Sequence, residues 1–354
     1  MKPYYQDDTV TLLHGDALEV AKTLPAKSIR TIVTSPPYFG LRDYGMVAQY
    51  GAESTVQEYV SHLVELFREL RKALTDDGTL WLNLGDSWAS RWGSQRDRSQ
   101  LHLPDNERNR RPPVQGFANK QLLMTPARTA IALQDDGWFL RSDVIWHKPN
   151  PMPEGVTDRP TKSHEHIFML AKTAHPFFNG EAVAEQSSML GRPQRERAEE
   201  IAAAKGLTEE HFAAIRSVGI TDVGKARVTQ AGTGRNGAAV QALADEAKVA
   251  LGGYYREFLF EKTRNIRDVW TVATTPFGGA HFAVFPPGIP TICVRASSEP
   301  GDTVLDPFSG SGTTGMVATQ EGRKYVGVDL NSKYLDLSLR TRFAQPALNF
   351  GAIS

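Results

Sequence analysis

The chain has 354 residues, and its 40 Lys and Arg are balanced by 40 Asp and Glu, giving a formal net charge of zero. This length predicts one large α/β core with a smaller attachment, and the charge balance requires any nucleic-acid site to be a local basic surface. The single cysteine, Cys293, excludes an internal disulfide and a cysteine-clustered zinc site. No apolar run approaches the roughly 18 residues of a membrane span, so we expect a soluble, cytoplasmic protein.

The first half of the chain alternates strand and helix patterns. TVTLL at residues 9–13 and IRTIV at 29–33 predict strands on either side of a short helix that ends before Pro25. An amphipathic helix from Val56 to Leu74 precedes the buried strand TLWLNL, and LRSDVIWH and HIFMLAK predict further strands. This alternation predicts βαβ units and a parallel sheet.

Two regions interrupt the alternation. Residues 89–120 are rich in Arg, Asn, Pro and Gln without an apolar period, which predicts a long surface loop. Residues 186–257 are rich in Ala, Glu, Gln and Arg, which predicts a helical insertion. Strand, helix and strand patterns then return, with a last helix near Lys333 to Phe343. We therefore predict a doubly wound, Rossmann-like α/β sheet built from residues 1–185 and 258–354.

A glycine-rich turn lies between the strand and the helix that follow the insertion. VLDPFSGSGTTG places Gly310, Gly312 and Gly315 in G-x-G-x-x-G spacing. Asp329, 19 residues after Gly310 at the tip of the next strand, is placed to bind ribose hydroxyls. Asp306 favours S-adenosylmethionine over a dinucleotide, because a carboxylate attracts a cationic amino-acid tail and repels a pyrophosphate.

A second motif, TSPPY at residues 34–38, follows the strand IRTIV. Its two prolines fix the backbone and present carbonyl groups as acceptors. An exocyclic amine on a base ring is a poor nucleophile, so a catalyst should accept its hydrogens, here through Ser35 and the Pro36 carbonyl, while holding it in line with a sulfonium methyl. Tyr38 would stack on the base. Standing alone, such a short motif would more often be a structural turn.

Taken together, TSPPY, LDPFSGSGTT and YVGVDLN resemble motifs of the DNA amino-methyltransferases, which modify cytosine at N4 or adenine at N6. The catalytic turn precedes the cofactor glycines, as in the circularly permuted β group of that family. HGDALE, FRELRKALTDDGTLWLNLGDS, WHKPNPMPEG and HFAVFPPGIP resemble further elements of it. The resemblance leaves out residues 186–257, a position that usually holds the target-recognition domain in this group.

The resemblance implies roles for individual residues. Asp16 would contact the adenine of S-adenosylmethionine, Asp329 its ribose and Asp306 its ammonium group. The other cofactor contacts would be Pro307, Phe308, Gly310, Gly312 and Thr313, and the catalytic residues would be Ser35, Pro36, Pro37 and Tyr38. Family members with Ser at position 35 generally act on cytosine and those with Asp on adenine. The predicted reaction is therefore N4-cytosine methylation by base flipping and direct transfer, with N6-adenine methylation as the alternative.

Double-stranded DNA is the predicted partner, together with a homodimer partner and a cognate restriction endonuclease. The predicted DNA contacts lie in two basic stretches and beside the base pocket, although solvated loops would explain the same charges: Arg91, Arg96, Arg98, Arg110, Arg111, Lys148, Lys225, Arg227 and Arg235. We predict no metal, because His147, His164 and His166 lack the spacing of a metal site.

Two other functions remain open from the sequence. A nicotinamide-dependent oxidoreductase would share the glycine turn but leave TSPPY unexplained. A DNA-binding module without catalysis would leave Ser35, Tyr38 and Asp329 without a role. Attack on a cytosine ring carbon is not expected, because Cys293 lacks the Pro-Cys pair that such covalent chemistry would need.

Overall fold

The structure is a computed structural model that describes residues 2–41, 46, 49–89, 114–186, 193–219, 237–259, 263–274 and 286–343. The chain forms two compact units, the first comprising Met1–Ala182 with Arg267–Ser354 and the second Val183–Ile266. The predicted insertion, residues 186–257, falls inside the second unit. Residues 90–113 of the predicted surface loop and residues 281–285 of HFAVFPPGIP lie outside the described residues.

The described strands fall into one large sheet and one small sheet. In chain order they are β1 (Tyr5–Gln6), β2 (Val10–His14), β3 (Ile29–Thr34), β4 (Leu74–Leu84), β5 (Phe139–His147), β6 (His164–Ala171), β7 (Glu185–Gln186), β8 (Thr263–Arg264), β9 (Val269–Thr271), β10 (Thr303–Asp306) and β11 (Lys324–Asp329). Within the described residues the large sheet has the order β1-β2-β11-β10-β3-β4-β6-β5-β9, and β7 pairs with β8.

Strands from both ends of the chain are neighbours in the large sheet. β2, β11, β10, β3 and β4 are parallel, and Val304 and Leu305 of β10 pair with Thr31 and Ile32 of β3. The doubly wound α/β fold is confirmed. The expectation of a parallel sheet is wrong at β6, which runs antiparallel to both β4 and β5, and at the edge strand β1, which is antiparallel to β2.

The described helices are divided between the two units. Helices α1 (Ala17–Ala21), α2 (Val56–Ala73) and α3 (Thr125–Asp135) belong to the first unit. The second unit contains α4 (Pro193–Ala204), α5 (Glu209–Val218) and α6 (Gly237–Leu251). The chain then returns to the first unit with α7 (Gly288–Ser297), α8 (Thr313–Gln320) and α9 (Ser332–Ser338). Short 3-10 turns span Glu181–Val183 and Gly252–Phe258, and a π-helical turn, Leu339–Phe343, extends α9. None of the helices in the described ranges has the length and apolar character needed to cross a membrane.

Helix α2 begins at a capping box and buries one face against the sheet. The Thr55 hydroxyl accepts from the Glu58 amide at 3.1 Å, and the Glu58 carboxylate accepts from the Thr55 amide at 3.1 Å. Tyr59, Leu63 and Phe67 are completely buried on the face that packs into the core. Because the Tyr59 hydroxyl also donates to the Pro37 carbonyl at 2.9 Å, α2 holds the TSPPY turn in place.

Helix α7 contains PTICVRA, a segment for which the sequence predicted no helix. Its proline and its β-branched residues are weak helix formers, so the local sequence gives little indication of a helix. Packing decides the structure instead: Cys293 and Val294 are completely buried, and the Ser297 hydroxyl accepts from the Trp81 indole at 3.1 Å. Burial raises the pKa of the Cys293 thiol well above its ordinary value, which leaves it a packing residue.

The second unit has a small core of its own. Helices α4, α5 and α6 and the turn Gly252–Phe258 contribute a cluster of buried residues, Ala198, Ala202, Ile215, Ala247, Leu251 and Phe258. The ring of Phe212 stacks on that of Phe258 with centroids 4.1 Å apart. Helices therefore account for most of the described part of residues 186–257.

Candidate active site

Both predicted site motifs lie at the carboxyl ends of the parallel strands. TSPPY follows β3, LDPFSGSGTT follows β10, and β11 ends at Asp329. The Thr34 hydroxyl donates to Oδ1 of Asp306 at 2.7 Å, so the two motifs are in direct contact although 272 residues separate them. In open α/β sheets this edge is where ligands bind.

Packing inside the protein explains why the turn after β10 needs glycines. Gly310 and Gly312 have φ values of 51° and 77°, in the left-handed region. A Cβ on Gly312 would lie 2.8 Å from the Cβ of Ser338, and one on Gly315 would lie 2.4 Å from Cε1 of Tyr325. The glycines thus let α8 approach α9 and β11 closely, a reason that motif spacing alone does not reveal.

Two buried carboxylates flank this turn. Oδ1 of Asp306 also accepts from the Phe308 amide at 3.0 Å, while Asp329 accepts from the amides of Gly310 and Asn331, both at 2.8 Å. Burial nevertheless raises the pKa of each carboxyl to about 6. No Lys or Arg among the described residues forms an ion pair with either. The pair therefore suits a ligand that brings a positive charge and hydroxyl donors.

Tyr50 contacts Phe308 of the glycine turn and lies near Asp16. The ring of Phe308 meets the ring of Tyr50 edge-on, with centroids 5.1 Å apart. Burial, followed by the charge of nearby Asp16, raises the pKa of Tyr50 above its ordinary value. Oδ1 of Asp16 caps α1 by accepting from the amides of Leu18 and Glu19, at 2.9 and 3.1 Å. Asp16 thus has a structural task besides any contact with a cofactor.

Two other residues predicted to bind the cofactor, Pro307 and Thr313, are buried in the turn. Tyr50 was not predicted at all, since nothing in the sequence around it departs from ordinary polar loop composition.

A hydrogen-bonded cluster surrounds Tyr38. Its hydroxyl donates to Oε2 of Glu165 at 2.7 Å and lies 3.2 Å from Oδ1 of Asn83 and 3.3 Å from Oγ of Ser35. Burial raises the pKa of the phenol well above its ordinary value, so the hydroxyl keeps its proton. Lys148 forms an ion pair with Oε1 of Glu165. Asn83 and Glu165 were not predicted from the sequence, although both are polar residues at the ends of predicted apolar strands.

The family follows from the extent of the match to known proteins. A family model described as DNA methylase, of the N6 and N4 type, matches residues 29–340. The chain belongs to this family.

Curated relatives support this assignment over nearly the whole methylase. The type II methyltransferase M.Cfr9I of Citrobacter freundii is 40% identical over 93% of this chain and 86% of its own length. M.SmaI of Serratia marcescens is 37% identical over 92% of this chain and 88% of its own length. The methylase is therefore a DNA methyltransferase of restriction-modification type, and S-adenosylmethionine is its cofactor.

Solved structures show the same fold. The PvuII DNA methyltransferase, described as cytosine-N4-specific, superposes with a TM-score of 0.59 at 19% identity, covering 99% of this chain and 91% of that one. A DNA modification methylase from Thermus thermophilus, solved with S-adenosyl-L-methionine, gives 0.52 at 22% identity, covering 96% and 95%. At these identities the likeness concerns the fold of the methylase.

The residues at the glycine turn fit S-adenosylmethionine. Asp306 and Asp329 provide two buried carboxylates without a basic partner in the described part of the chain, matching the ammonium and ribose hydroxyls of this molecule. A family cofactor with a cationic amino-acid portion accounts for both, whereas a dinucleotide would leave Asp306 facing a pyrophosphate.

The remaining predicted site residues are placed only in part. Lys148, predicted to contact DNA, pairs with Glu165 and lies over the Trp146 ring, 4.3 Å from its centroid, so it belongs to the cluster around Tyr38. The other predicted DNA contacts lie outside the described residues: Arg91, Arg96, Arg98, Arg110, Arg111, Lys225, Arg227 and Arg235. His147 and His166 contact Thr271 and Asp143. The described residues include no group of three or more side chains suited to a metal ion.

Proposed function

We propose that the methylase transfers a methyl group to the N4 amine of cytosine in double-stranded DNA. The observation that carries the proposal is the position of Ser35. Its hydroxyl lies at the carboxyl end of β3, 3.3 Å from the Tyr38 hydroxyl. The hydroxyl of Thr34, the residue before it, donates a hydrogen bond to Asp306 at the carboxyl end of β10. A neutral acceptor therefore lies between the cluster around Tyr38 and the carboxylates expected to bind the cofactor.

The target base has to leave the helix to reach this edge of the sheet. Its amine is paired inside the duplex, so extrusion of the nucleotide precedes transfer. The ring of Tyr38 supplies a surface for stacking, and Ser35 with the Pro36 carbonyl accepts the amine hydrogens. S-adenosylmethionine, when bound, supplies a sulfonium-activated methyl group for direct displacement by nitrogen. A covalent route through Cys293 is not needed, since this thiol is buried in α7.

Two further points favour cytosine over adenine. Ser35 stands where family members that act on adenine generally carry Asp. The PvuII enzyme, which shares the fold, is described as cytosine-N4-specific. N6-adenine methylation remains the alternative within the same family.

The second unit is proposed to recognise the target sequence. It comprises residues 183–266 and has its own apolar core. The arginines and lysines predicted to bind DNA are proposed to clamp phosphates, which fix position more than sequence. Self-association and a cognate endonuclease also remain proposals.

The test is mass spectrometry of nucleosides from mixed-sequence duplex DNA incubated with the methylase and S-adenosylmethionine. N4-methylcytosine is the expected product, and N6-methyladenine would contradict the base assignment. The Ser35→Ala variant should lower product formation without changing which base is modified. A Tyr4→Phe variant, altered at the exposed bond to Asp336, serves as the control and should match the unmodified enzyme.

A further inference from the structure

Two side chains beside TSPPY have no role in the reaction described above. Glu165 is the second residue of β6, and its side chain is 14% exposed; that of its partner Lys148 is 18% exposed. A shielded ion pair gains little net stability, because the desolvation of two charges offsets their attraction. Its position against the Tyr38 hydroxyl therefore calls for another explanation.

The direction of the phenolic hydrogen follows from what surrounds it. A phenol has one hydrogen to donate. Oε2 of Glu165 at 2.7 Å and Oδ1 of Asn83 at 3.2 Å can only accept, since the Asn83 amide nitrogen donates to Oε2 of Glu165 and to the His166 carbonyl, both at 3.1 Å. The bond to a carboxylate is the shorter and stronger one. The hydrogen of Tyr38 therefore points toward Glu165 and away from Ser35.

This direction fixes the role of Ser35. The Ser35 and Tyr38 oxygens lie 3.3 Å apart, and one of them must donate. With the phenolic hydrogen engaged, Ser35 donates its hydroxyl hydrogen to the Tyr38 oxygen. Both lone pairs of the serine oxygen are then left to accept hydrogens from another group.

We propose that Glu165, paired with Lys148, is a positioning residue that acts through Tyr38 to turn the lone pairs of Ser35 toward the target amine. This inference rests on the proposed role of Ser35 as the acceptor. An amine with two hydrogens and a delocalised lone pair is helped by an acceptor and hindered by a competing donor. The chain of hydrogen bonds ensures that Ser35 presents only an acceptor to the amine.

The charge of Glu165 supports this direction. Burial alone would raise the pKa of the Glu165 carboxyl. The charge of Lys148, together with hydrogen bonds from Lys148, Tyr38 and Asn83, more than compensates, so that its pKa is lowered. Glu165 is thus an acceptor only.

The test is a double-mutant cycle between Glu165→Gln and Tyr38→Phe. The rate constant of methyl transfer is measured in single-turnover assays with radiolabelled S-adenosylmethionine, alongside the Kd for DNA and the Tm. Each variant should slow transfer about 10- to 100-fold, as expected for loss of a charge-assisted hydrogen bond. The double variant should be no slower than the slower single variant, because both break one chain of bonds. Lys148→Met should slow transfer, whereas Lys148→Arg, which keeps the positive charge, should retain most of the transfer rate.

Asp77→Asn provides the matched control, since Asp77 pairs with Arg30 of the same sheet, whose side chain is 16% exposed, away from TSPPY. It should lower the Tm without slowing transfer. The proposal would be overturned if the rate reduction in the double variant equalled the product of the reductions in Glu165→Gln and Tyr38→Phe. It would also be overturned if these variants lost Tm or DNA affinity while the transfer rate stayed unchanged. Since the rate is followed whichever base is methylated, finding N6-methyladenine would refute the cytosine assignment alone.

Discussion

Gly85 lies directly against the ring of Tyr38. A Cβ at this position would be 2.5 Å from Cε2 and 2.9 Å from Cδ2 of the ring, closer than carbon atoms pack. The ring would have to move, and its hydroxyl would move away from Glu165 with it. The absence of a side chain at residue 85 is therefore part of how Tyr38 is positioned.

We predict that Gly85→Ala slows single-turnover methyl transfer by about 10-fold or more, because small displacements of positioning groups strongly affect rate. The Kd for S-adenosylmethionine, measured by calorimetry, should stay within about 2-fold of that of the unmodified enzyme, since the carboxylates of Asp306 and Asp329 are not displaced. Gly155→Ala is the control, since among the described residues no atom lies within 4 Å of the added methyl group. A normal rate in Gly85→Ala would show that Tyr38 tolerates movement.

Asp306 and Asp329 make cofactor binding sensitive to pH. Each has a folded-state pKa of about 6, above the ordinary value of 3.8. A cationic ligand is bound by the ionised carboxylates, so affinity should be full above pH 7 and fall as the pH drops through 6. At pH 5.5 we predict a Kd weaker by about 4-fold if one carboxylate must be ionised and about 16-fold if both must.

The stability of the cofactor-free methylase should change in the opposite direction. The folded state binds a proton on Asp306 more tightly than the unfolded state does, so this group favours folding most below pH 4, and that contribution is lost as the pH rises through 6. The contribution of Asp306 to the free energy of unfolding differs by about 3 kcal/mol between the low-pH and high-pH limits. Because the Asp329 carboxyl has the same raised pKa, Asp306→Asn should remove about half of the pH dependence that the two groups give to urea unfolding between pH 4.5 and 7.5, while weakening cofactor binding. An unchanged pH profile would mean that another group is responsible.

At the scale of secondary structure elements, Gly315 decides how closely α8 packs on the sheet. A methyl group there would meet the Tyr325 ring at 2.4 and 2.5 Å and the Phe343 ring at 2.6 Å. We predict that Gly315→Ala lowers the free energy of unfolding by about 1–3 kcal/mol, the usual effect of overpacking, as measured by urea denaturation. Gly155→Ala should be neutral, and equal stability of both variants would contradict the packing argument.

Elements with a strong periodic pattern could be predicted from the sequence, and those specified by tertiary packing could not. Helix α2 was predicted within one residue, because its apolar spacing and Thr55–Glu58 cap act locally. The helix around Cys293 and the reversed direction of β6 depend on contacts with distant strands.

The candidate site follows the same division. Ser35, Tyr38 and Asp306 lie in motifs of adjacent residues, which can be seen in the sequence. Glu165 and Asn83 join them only because β4 and β6 are neighbours in the folded sheet.

For the whole molecule, a net charge of zero means that DNA affinity has to come from local basic groups. We predict that replacing Lys225, Arg227 and Arg235 together by Ala weakens DNA binding and reduces the slope of log K against log salt by about 3, one for each phosphate that is no longer neutralised. Fluorescence anisotropy between 50 and 200 mM salt measures this slope. Replacing the exposed Lys22 and Lys27 of the first unit should leave it unchanged.

The contact between Thr34 and Asp306 also determines when a newly made molecule can become active. At about 5–20 residues per second, a ribosome needs roughly 15 to 55 s to synthesise the 272 residues that separate them. During that time β3 has left the ribosome but lacks its neighbour β10, and its apolar edge is open to wrong pairing. Expression of this enzyme should therefore depend on chaperones that protect the first strands until the last ones arrive.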